Sequence, residues 1–410
     1  MSVLRGNDKR RPLLRKIQAR PKADPAKTAI PSILSVDSTQ KCPVLITGGA
    51  GFIGTNLADR LMSSGCPVLI YDNLSRRGSE INLDWLARKH GALLHAEVAD
   101  VRDSAALRAA VREAKAVVHF AAQVAVTDSV VNPRNDFEVN AAGTLNVLEA
   151  IRATPSRPPL IFTSTNKVYG AMPDLELKKG SGGYCPVEGR IANGGISEQR
   201  PLDFCSPYGC SKGTADQYVL DYARTFGLRS VVFRMSCIYG PHQFGTEDQG
   251  WIAHFLLRAR EGKPITIYGD GSQVRDVLYV DDLVEAFLLA LHSIKDISGR
   301  AFNIGGGPSN TLTLLQLVQQ ITELQGSACP VRFDHWRHGD QRYFVSDTRE
   351  FHRATGWTPK VNVREGVAIL YRWLEDRDSR DVRHGISQSH VVRFPRTEHR
   401  STQEELIRTS

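Results

Sequence analysis

The sequence predicts an α/β chain, a doubly wound parallel sheet followed by a smaller C-terminal α/β subdomain. Three observations carry this. Short apolar runs recur along the chain with helix-length amphipathic segments between them. A glycine cluster, Gly48-Gly49-Ala50-Gly51-Phe52-Ile53-Gly54, lies between the first apolar run and the first helical segment. A carboxylate, Asp72, ends the second run. Strands covered on both faces read as continuous apolar runs, and strands that alternate with helices are joined by crossovers that leave them parallel.

Each element follows from its local pattern. Pro43-Val44-Leu45-Ile46-Thr47 is the first strand, and Asn56 to Met62 repeats with helical period behind it. Val68–Tyr71, Leu93–Val98, Val117–Phe120, Leu160–Thr163 and Ser230–Arg234 are strands two to six, with helices at Ser104–Glu113 and Gly143–Arg152. Residues 171–205 are glycine-rich and weakly periodic, so this stretch reads as a long loop, either a functional lid or disordered. Residues 379–410 are polar and proline-interrupted, the pattern of a flexible tail.

Residues 1–40 form a basic extension expected to be disordered: Arg5, Lys9, Arg10, Arg11, Arg15, Lys16, Arg20, Lys22 and Lys27 face few acids. Prolines at 12, 21, 25 and 31 argue against an amphipathic targeting helix, and there is no apolar core of a secretory signal. The net charge of +8 is concentrated partly in the ends and does not point to nucleic acid. The chain is 41% hydrophobic and 23% charged with no run long enough to span a bilayer, so no membrane partner is expected. Seven scattered cysteines without a Cys-x-x-Cys pair indicate reduced thiols, no metal site and a cytoplasmic protein.

Three motifs carry chemistry. Gly48, Gly51 and Gly54 are spaced for a strand–turn–helix that accepts a pyrophosphate: one glycine for the turn, one for close approach of the ligand, one for helix packing. Asp72 is placed to accept the two hydroxyls of an adenosine ribose, which selects NAD. Arg76 and Arg77 suit a 2′-phosphate instead, but Asp72 would repel it. Asp100, after the third strand, fits two roles, a partner for the adenine amino group or an ordinary turn aspartate. The fifth strand ends in Thr163-Ser164-Thr165-Asn166-Lys167-Val168-Tyr169-Gly170, at the edge where a parallel sheet binds its ligand. Tyr208 and Lys212 stand one helical turn apart in Ser206-Pro207-Tyr208-Gly209-Cys210-Ser211-Lys212, so an ammonium lies beside a phenol. Such a pair favours the phenolate, a base for a hydroxyl proton.

Together these residues resemble the extended short-chain dehydrogenase/reductases that modify nucleotide sugars. Further stretches share the likeness: Asp72-Asn73-Leu74-Ser75-Arg76, Leu202-Asp203-Phe204, Ala215-Asp216-Gln217-Tyr218, Asp248-Gln249-Gly250-Trp251 and Gln273-Val274-Arg275-Asp276-Val277-Leu278. The resemblance covers about residues 42–378 and is strongest to the branch that inverts C2 of CDP-linked deoxyhexoses. It implies a Rossmann domain over 41–237 with 276–304 returning to it, and a substrate subdomain over 238–375, mainly 238–275 and 305–375. By resemblance, Gly48, Gly51, Phe52, Ile53 and Gly54 hold the NAD pyrophosphate, Asp72 and Asn73 the ribose, Asp100 and Val101 the adenine, and Ala121 and Ala122 line the dinucleotide. Thr165, Tyr208 and Lys212 are the expected catalytic residues, with Lys212 also on the nicotinamide ribose. Gln123, Asn166 and Arg275 are expected at the substrate, Arg275 on its diphosphate, unless that guanidinium is spent on Asp276.

Sugar 4,6-dehydratases of this family carry Asp-Glu after the catalytic threonine. Asn166-Lys167 stands there instead, and asparagine cannot exchange a proton at neutral pH. Cys237 replaces an asparagine common in 4-epimerases. The resemblance therefore implies an NAD-dependent epimerase acting as a homo-oligomer, dimer or tetramer. A UDP-hexose 4-epimerase and a non-catalytic NAD sensor are the alternatives.

Overall fold

β-Branched and leucine-rich tetrapeptides build the centre of the molecule, a computed structural model describing residues 42–337 and 339–384. In chain order come β1 (Val44–Thr47), β2 (Val68–Tyr71), β3 (Leu94–Glu97), β4 (Ala116–His119) and β5 (Leu160–Thr165), then a hairpin of β6 (Leu177–Gly180) and β7 (Gly183–Pro186). They are followed by β8 (Ser230–Met235), β9 (Cys237–Tyr239), β10 (Ile265–Tyr268), β11 (Val274–Tyr279), β12 (Arg300–Ile304), β13 (Thr311–Thr313), β14 (Val331–Asp334) and β15 (Tyr343–Phe344). Seven of these form one sheet in the order β12-β8-β5-β4-β1-β2-β3, with every pairing parallel.

The chain winds outward from β1 through β2 and β3, then crosses back to β4 and winds the other way. The reversal opens a crevice at the carboxyl ends of β1 and β4, where Thr47 and His119 sit in register. Alternation along β1 explains why both faces are covered. Val44 and Ile46 join one apolar cluster with Leu57, Leu61, Leu283 and Phe287, while Leu45 joins the opposite one with Leu107, Val147 and Val219.

A second unit packs around Tyr239, Ile252, Leu256, Ile267, Leu317 and Leu370. Its small sheet is centred on β11, which pairs with β9 and β15 in parallel and with β13 antiparallel. Beside it, β10 pairs with β14. The chain then returns through the helix Val280–His292, which packs in the first cluster, to β12 at the edge of the large sheet. Sequence patterning did not identify β12, whose Arg300 and Asn303 break the apolar run.

The 171–205 segment departs from the loop expected there. It folds into the β6–β7 hairpin and a short helix, Gly189–Gly194. Gly183 has φ +100 and is pressed onto the second unit, where an added Cβ would stand 2.6 Å from Thr313 and 2.7 Å from the Ser272 carbonyl. The Tyr184 amide donates to that carbonyl at 3.1 Å. Lysines and glycines on the exposed hairpin hid its period. At the other end, the helix Val363–His384 runs past residue 379, where the tail was expected to begin. The remainder of that tail and the 1–40 extension lie outside the described residues.

Candidate active site

The glycine turn is shaped by contacts that leave no room for side chains. Gly48 has φ +67, and a Cβ there would stand 2.6 Å from the Ala121 amide nitrogen. A Cβ on Gly54 would meet the Gly48 carbonyl at 2.6 Å, so the helix Phe52–Ser63 can approach β1 only through glycine. Gly51, at the N-cap, supplies no side-chain cap, so the first amides of the helix are left for a ligand. Phe52 and Ile53 open that helix, and Ile53 also packs on the core.

Asp72 is held beneath the turn. Its carboxylate accepts from the Ala50 amide at 3.0 Å and the Leu74 amide at 2.8 Å. Burial pushes its carboxyl above the usual range, against the pull of those amides and of the Arg76 charge. Asn73 donates to Asp100 at 2.9 Å, and Arg102 embraces the same carboxylate through Nε at 2.9 Å and Nη2 at 2.8 Å. Burial opposes the charge of Asp100, but the Arg102 and Asn73 hydrogen bonds outweigh it and bring the carboxyl down to about 2. Asp100 thus has a structural occupation as the anchor of Asn73 and Arg102. The Val101 side chain is buried in the core against Gly143, and its carbonyl accepts from Asn146 Nδ2 at 3.0 Å.

Across the crevice, Ala121 and Ala122 follow β4. The Ala121 amide reaches Thr47 Oγ1 at 3.4 Å. His119 beneath them bridges Thr47 Oγ1 at 2.6 Å and Thr144 Oγ1 at 3.0 Å. Full burial, with Lys212 nearby, lowers its pKa to about 3, so the imidazole is neutral. Gln123 exchanges bonds with Asn140: its amide donates to Asn140 Oδ1 at 2.9 Å and its carbonyl accepts from Asn140 Nδ2 at 3.0 Å. Its own Oε1 is buried without a partner. A site with two Cβ-free cradles, a fixed carboxylate and an orphaned acceptor fits a dinucleotide such as NAD.

Tyr208 and Lys212 lie on the helix Ser206–Phe226, which Pro207 starts and Gly227 ends in a left-handed turn. Both are buried, Tyr208 at 9% and Lys212 at 4% exposure. The Tyr208 phenol feels the Thr165 hydroxyl at the end of β5, which itself donates to Asn166 Oδ1 at 3.3 Å. Burial raises the phenol to about 12, Asp136 adds to the rise, and Thr165 and Arg76 oppose it. Lys212 does not act on the phenol as its spacing suggested. Its Nζ sits 4.3 Å above the Phe162 ring, and burial lowers the ammonium to about 7 although Asp216 and Asp136 support its charge.

Two polar residues here escaped sequence reading. Asn140 sits in a π-helical turn, Glu138–Ala142, that aims its side chain inward, where it donates to Ser211 Oγ at 3.0 Å and Asp136 at 3.2 Å. Asp136 is fully buried and accepts from Ser211, between Tyr208 and Lys212 on their helix. An inserted π turn leaves no periodic signal, although an asparagine and an aspartate among core positions are a usable hint.

The second unit supplies the far wall. Arg275 on β11 does not pair with Asp276, because neighbouring strand residues face opposite sides. Asp276 instead takes Ser236 and the Gly307 amide, at 3.1 Å. Arg275 Nη2 bonds Asp340 at 2.7 Å and the Gln341 carbonyl, and Nη1 bonds the Val274 carbonyl at 2.9 Å. Asn166 donates to Gln341 Oε1 at 3.2 Å, and Gln341 donates to the Gly170 carbonyl at 2.7 Å. Asn166 is thereby turned into a brace between the end of β5 and the 339–341 segment. Lys167 reaches the Gly339 carbonyl at 3.3 Å, with Asp340 at 3.9 Å.

Known proteins are similar to this chain over most of its length. CDP-paratose 2-epimerase of Salmonella typhi is 43% identical over 338 residues, covering 80% of this chain and 98% of that protein. The structure of Thermus thermophilus UDP-glucose 4-epimerase in complex with NAD superposes with a TM-score of 0.67 at 32% identity, covering 81% of this chain and 99% of the other. Thermotoga maritima UDP-glucose 4-epimerase with UDP-glucose gives 0.69 at 29% identity, covering 82% and 99%. The model of the NAD dependent epimerase/dehydratase family matches residues 44–305, which span the glycine turn, Thr165, Tyr208, Lys212 and Arg275. The chain belongs to the NAD dependent epimerase/dehydratase family.

Proposed function

We propose that this NAD-dependent epimerase inverts C2 of a CDP-linked deoxyhexose, converting CDP-paratose to CDP-tyvelose. One observation carries the reading: the Thr165–Tyr208 pair stands beside Asn166 and Lys167, so the site holds an alcohol-oxidising dyad without the acid and base needed to eliminate water. The 43% identity to a CDP-paratose 2-epimerase supports C2 and the cytidine nucleotide.

Tyr208 as phenolate takes the proton of the C2 hydroxyl while Thr165 holds the same oxygen. When bound, NAD supplies the acceptor and later donor of the C2 hydride. Gly48, Gly51 and Gly54 receive its pyrophosphate, Asp72 its adenosine ribose, and Lys212 its nicotinamide ribose. Arg275 anchors the diphosphate while the 2-keto sugar turns about its glycosidic link and presents its other face. Tyr208 then returns its proton to the C2 oxygen. The dyad alone does not stabilise the phenolate: burial raises Tyr208 to about 12, so bound groups have to lower it.

We further propose a homo-oligomer in the cytoplasm. Val130, Val131 and Phe137 are exposed apolar side chains beside the catalytic helix, and all seven cysteines are unpaired. No helix among the described residues is long and apolar enough to cross a membrane. The test of the reaction is proton NMR of the protein with CDP-paratose. Appearance of CDP-tyvelose supports the reading, whereas turnover of UDP-glucose alone in a parallel tube identifies a 4-epimerase.

A further inference from the structure

The mechanism gives no role to Lys167, a cation beside Thr165. It follows Thr165 by two residues in the 3-10 turn Asn166–Tyr169, and its amide donates to Thr165 Oγ1 at 3.2 Å. Its side chain leads away from that hydroxyl towards Asp340, the carboxylate that also holds Arg275. Asp340 is therefore shared by two cations, at 2.7 Å from Arg275 and 3.9 Å from Lys167. One carboxylate between two cations leaves a surplus positive charge in a half-buried wall.

That surplus is chemically directed. An ammonium has three donors, and Lys167 spends one on the Gly339 carbonyl, while Asp340 is beyond hydrogen-bond distance. A buried cation persists where it is paired or where an anion arrives. Asp340 holds two like charges side by side, the arrangement that receives a doubly charged group. The wall runs from Thr165, which would hold the C2 oxygen, to Arg275. In a nucleotide sugar the atom next to C2 is C1, and C1 carries the diphosphate.

Resting on the C2 reading above, we propose that Lys167 is the second cation of a diphosphate clamp, gripping the sugar-linked phosphate while Arg275 grips the diphosphate from the other side. The clamp fixes the pivot about which the keto sugar turns. A dehydratase, which keeps its sugar in one pose, has no use for such a pivot, which accounts for a lysine where that reaction needs a glutamate.

Calorimetric titration of the NAD-bound protein with CDP and with CMP tests this without turnover. Lys167→Met should weaken CDP at least about 10-fold and leave CMP, which lacks the second phosphate, within about 2-fold, and Lys167→Arg should recover most of the loss. Unchanged CDP affinity in Lys167→Met overturns the clamp, as does equal weakening of CDP and CMP, which would place Lys167 on the nucleoside or the fold. Retained NAD and an unchanged melting temperature show that the variant is folded. If the unmodified protein binds UDP in preference to CDP, the cytidine reading fails by itself. The same comparison with UDP and UMP then decides the clamp.

Discussion

The phenol of Tyr208 and the hydroxyl of Thr165 act on each other across the site, one from the start of a helix and the other from the carboxyl end of β5. Burial and Asp136 raise the phenol, and the Thr165 hydroxyl lowers it. Removing the phenol should separate chemistry from binding. Tyr208→Phe should lose at least about 10³-fold in kcat and keep its NAD, measured by single turnover and by cofactor content after denaturation. Thr165→Ala should lose about 10²-fold, with the acid limb of the pH–rate profile moved to higher pH, because a donor to the phenolate is gone.

Lys212 gives a stability prediction with a definite sign. Burial lowers its ammonium to about 7, whereas an unfolded lysine titrates near 10.5. Between these values the unfolded chain binds more protons than the folded one, so this group makes stability rise with pH across the window. Its cost is full below about pH 7 and absent above about 10.5. Lys212→Met in NAD-free protein should therefore be more stable than the unmodified chain at pH 7, by roughly 1–3 kcal/mol once the lost Phe162 contact is allowed for, with the gain vanishing towards pH 10.5. Denaturant melts across that range check it. The same variant should lose turnover.

The cofactor cradle predicts a loss of NAD without a change in chemistry. Gly48→Ala introduces a Cβ 2.6 Å from the Ala121 nitrogen at a positive φ, and Gly54→Ala one 2.6 Å from the Gly48 carbonyl. Each should cost about 1–3 kcal/mol of stability and most of the bound NAD, read from the melting temperature and from absorbance of released cofactor.

Asp72 should set cofactor choice. Asp72→Ala removes the acceptor of the Ala50 and Leu74 amides and the negative charge beside Arg76. NAD affinity should fall about 10²-fold and the preference for NAD over NADP should narrow, measured by competition titration.

The large sheet was legible because its strands are buried on both faces and leave unbroken apolar runs. The glycine turn was legible because glycine alone tolerates the contacts at 48 and 54. Long-range partners were not. For Arg275 a salt bridge to Asp276 next door was the alternative to the diphosphate, and only the alternation of β11 sends it to Asp340, far along the chain. Asn140 depends on a π turn with no sequence period, Asp136 lies on the short helix before it, and the β6–β7 hairpin is held by tertiary contacts from Ser272 and Thr313. The spacing of Tyr208 and Lys212 placed them on one helical face but did not reveal that the ammonium packs over Phe162.

The central claim is transient oxidation at C2, and the most direct measurement follows that hydrogen. CDP-paratose carrying deuterium at C2 should yield CDP-tyvelose that keeps the label, in ordinary water, by proton NMR and mass spectrometry. Loss of the label to solvent would show proton exchange at C2 and contradict the account.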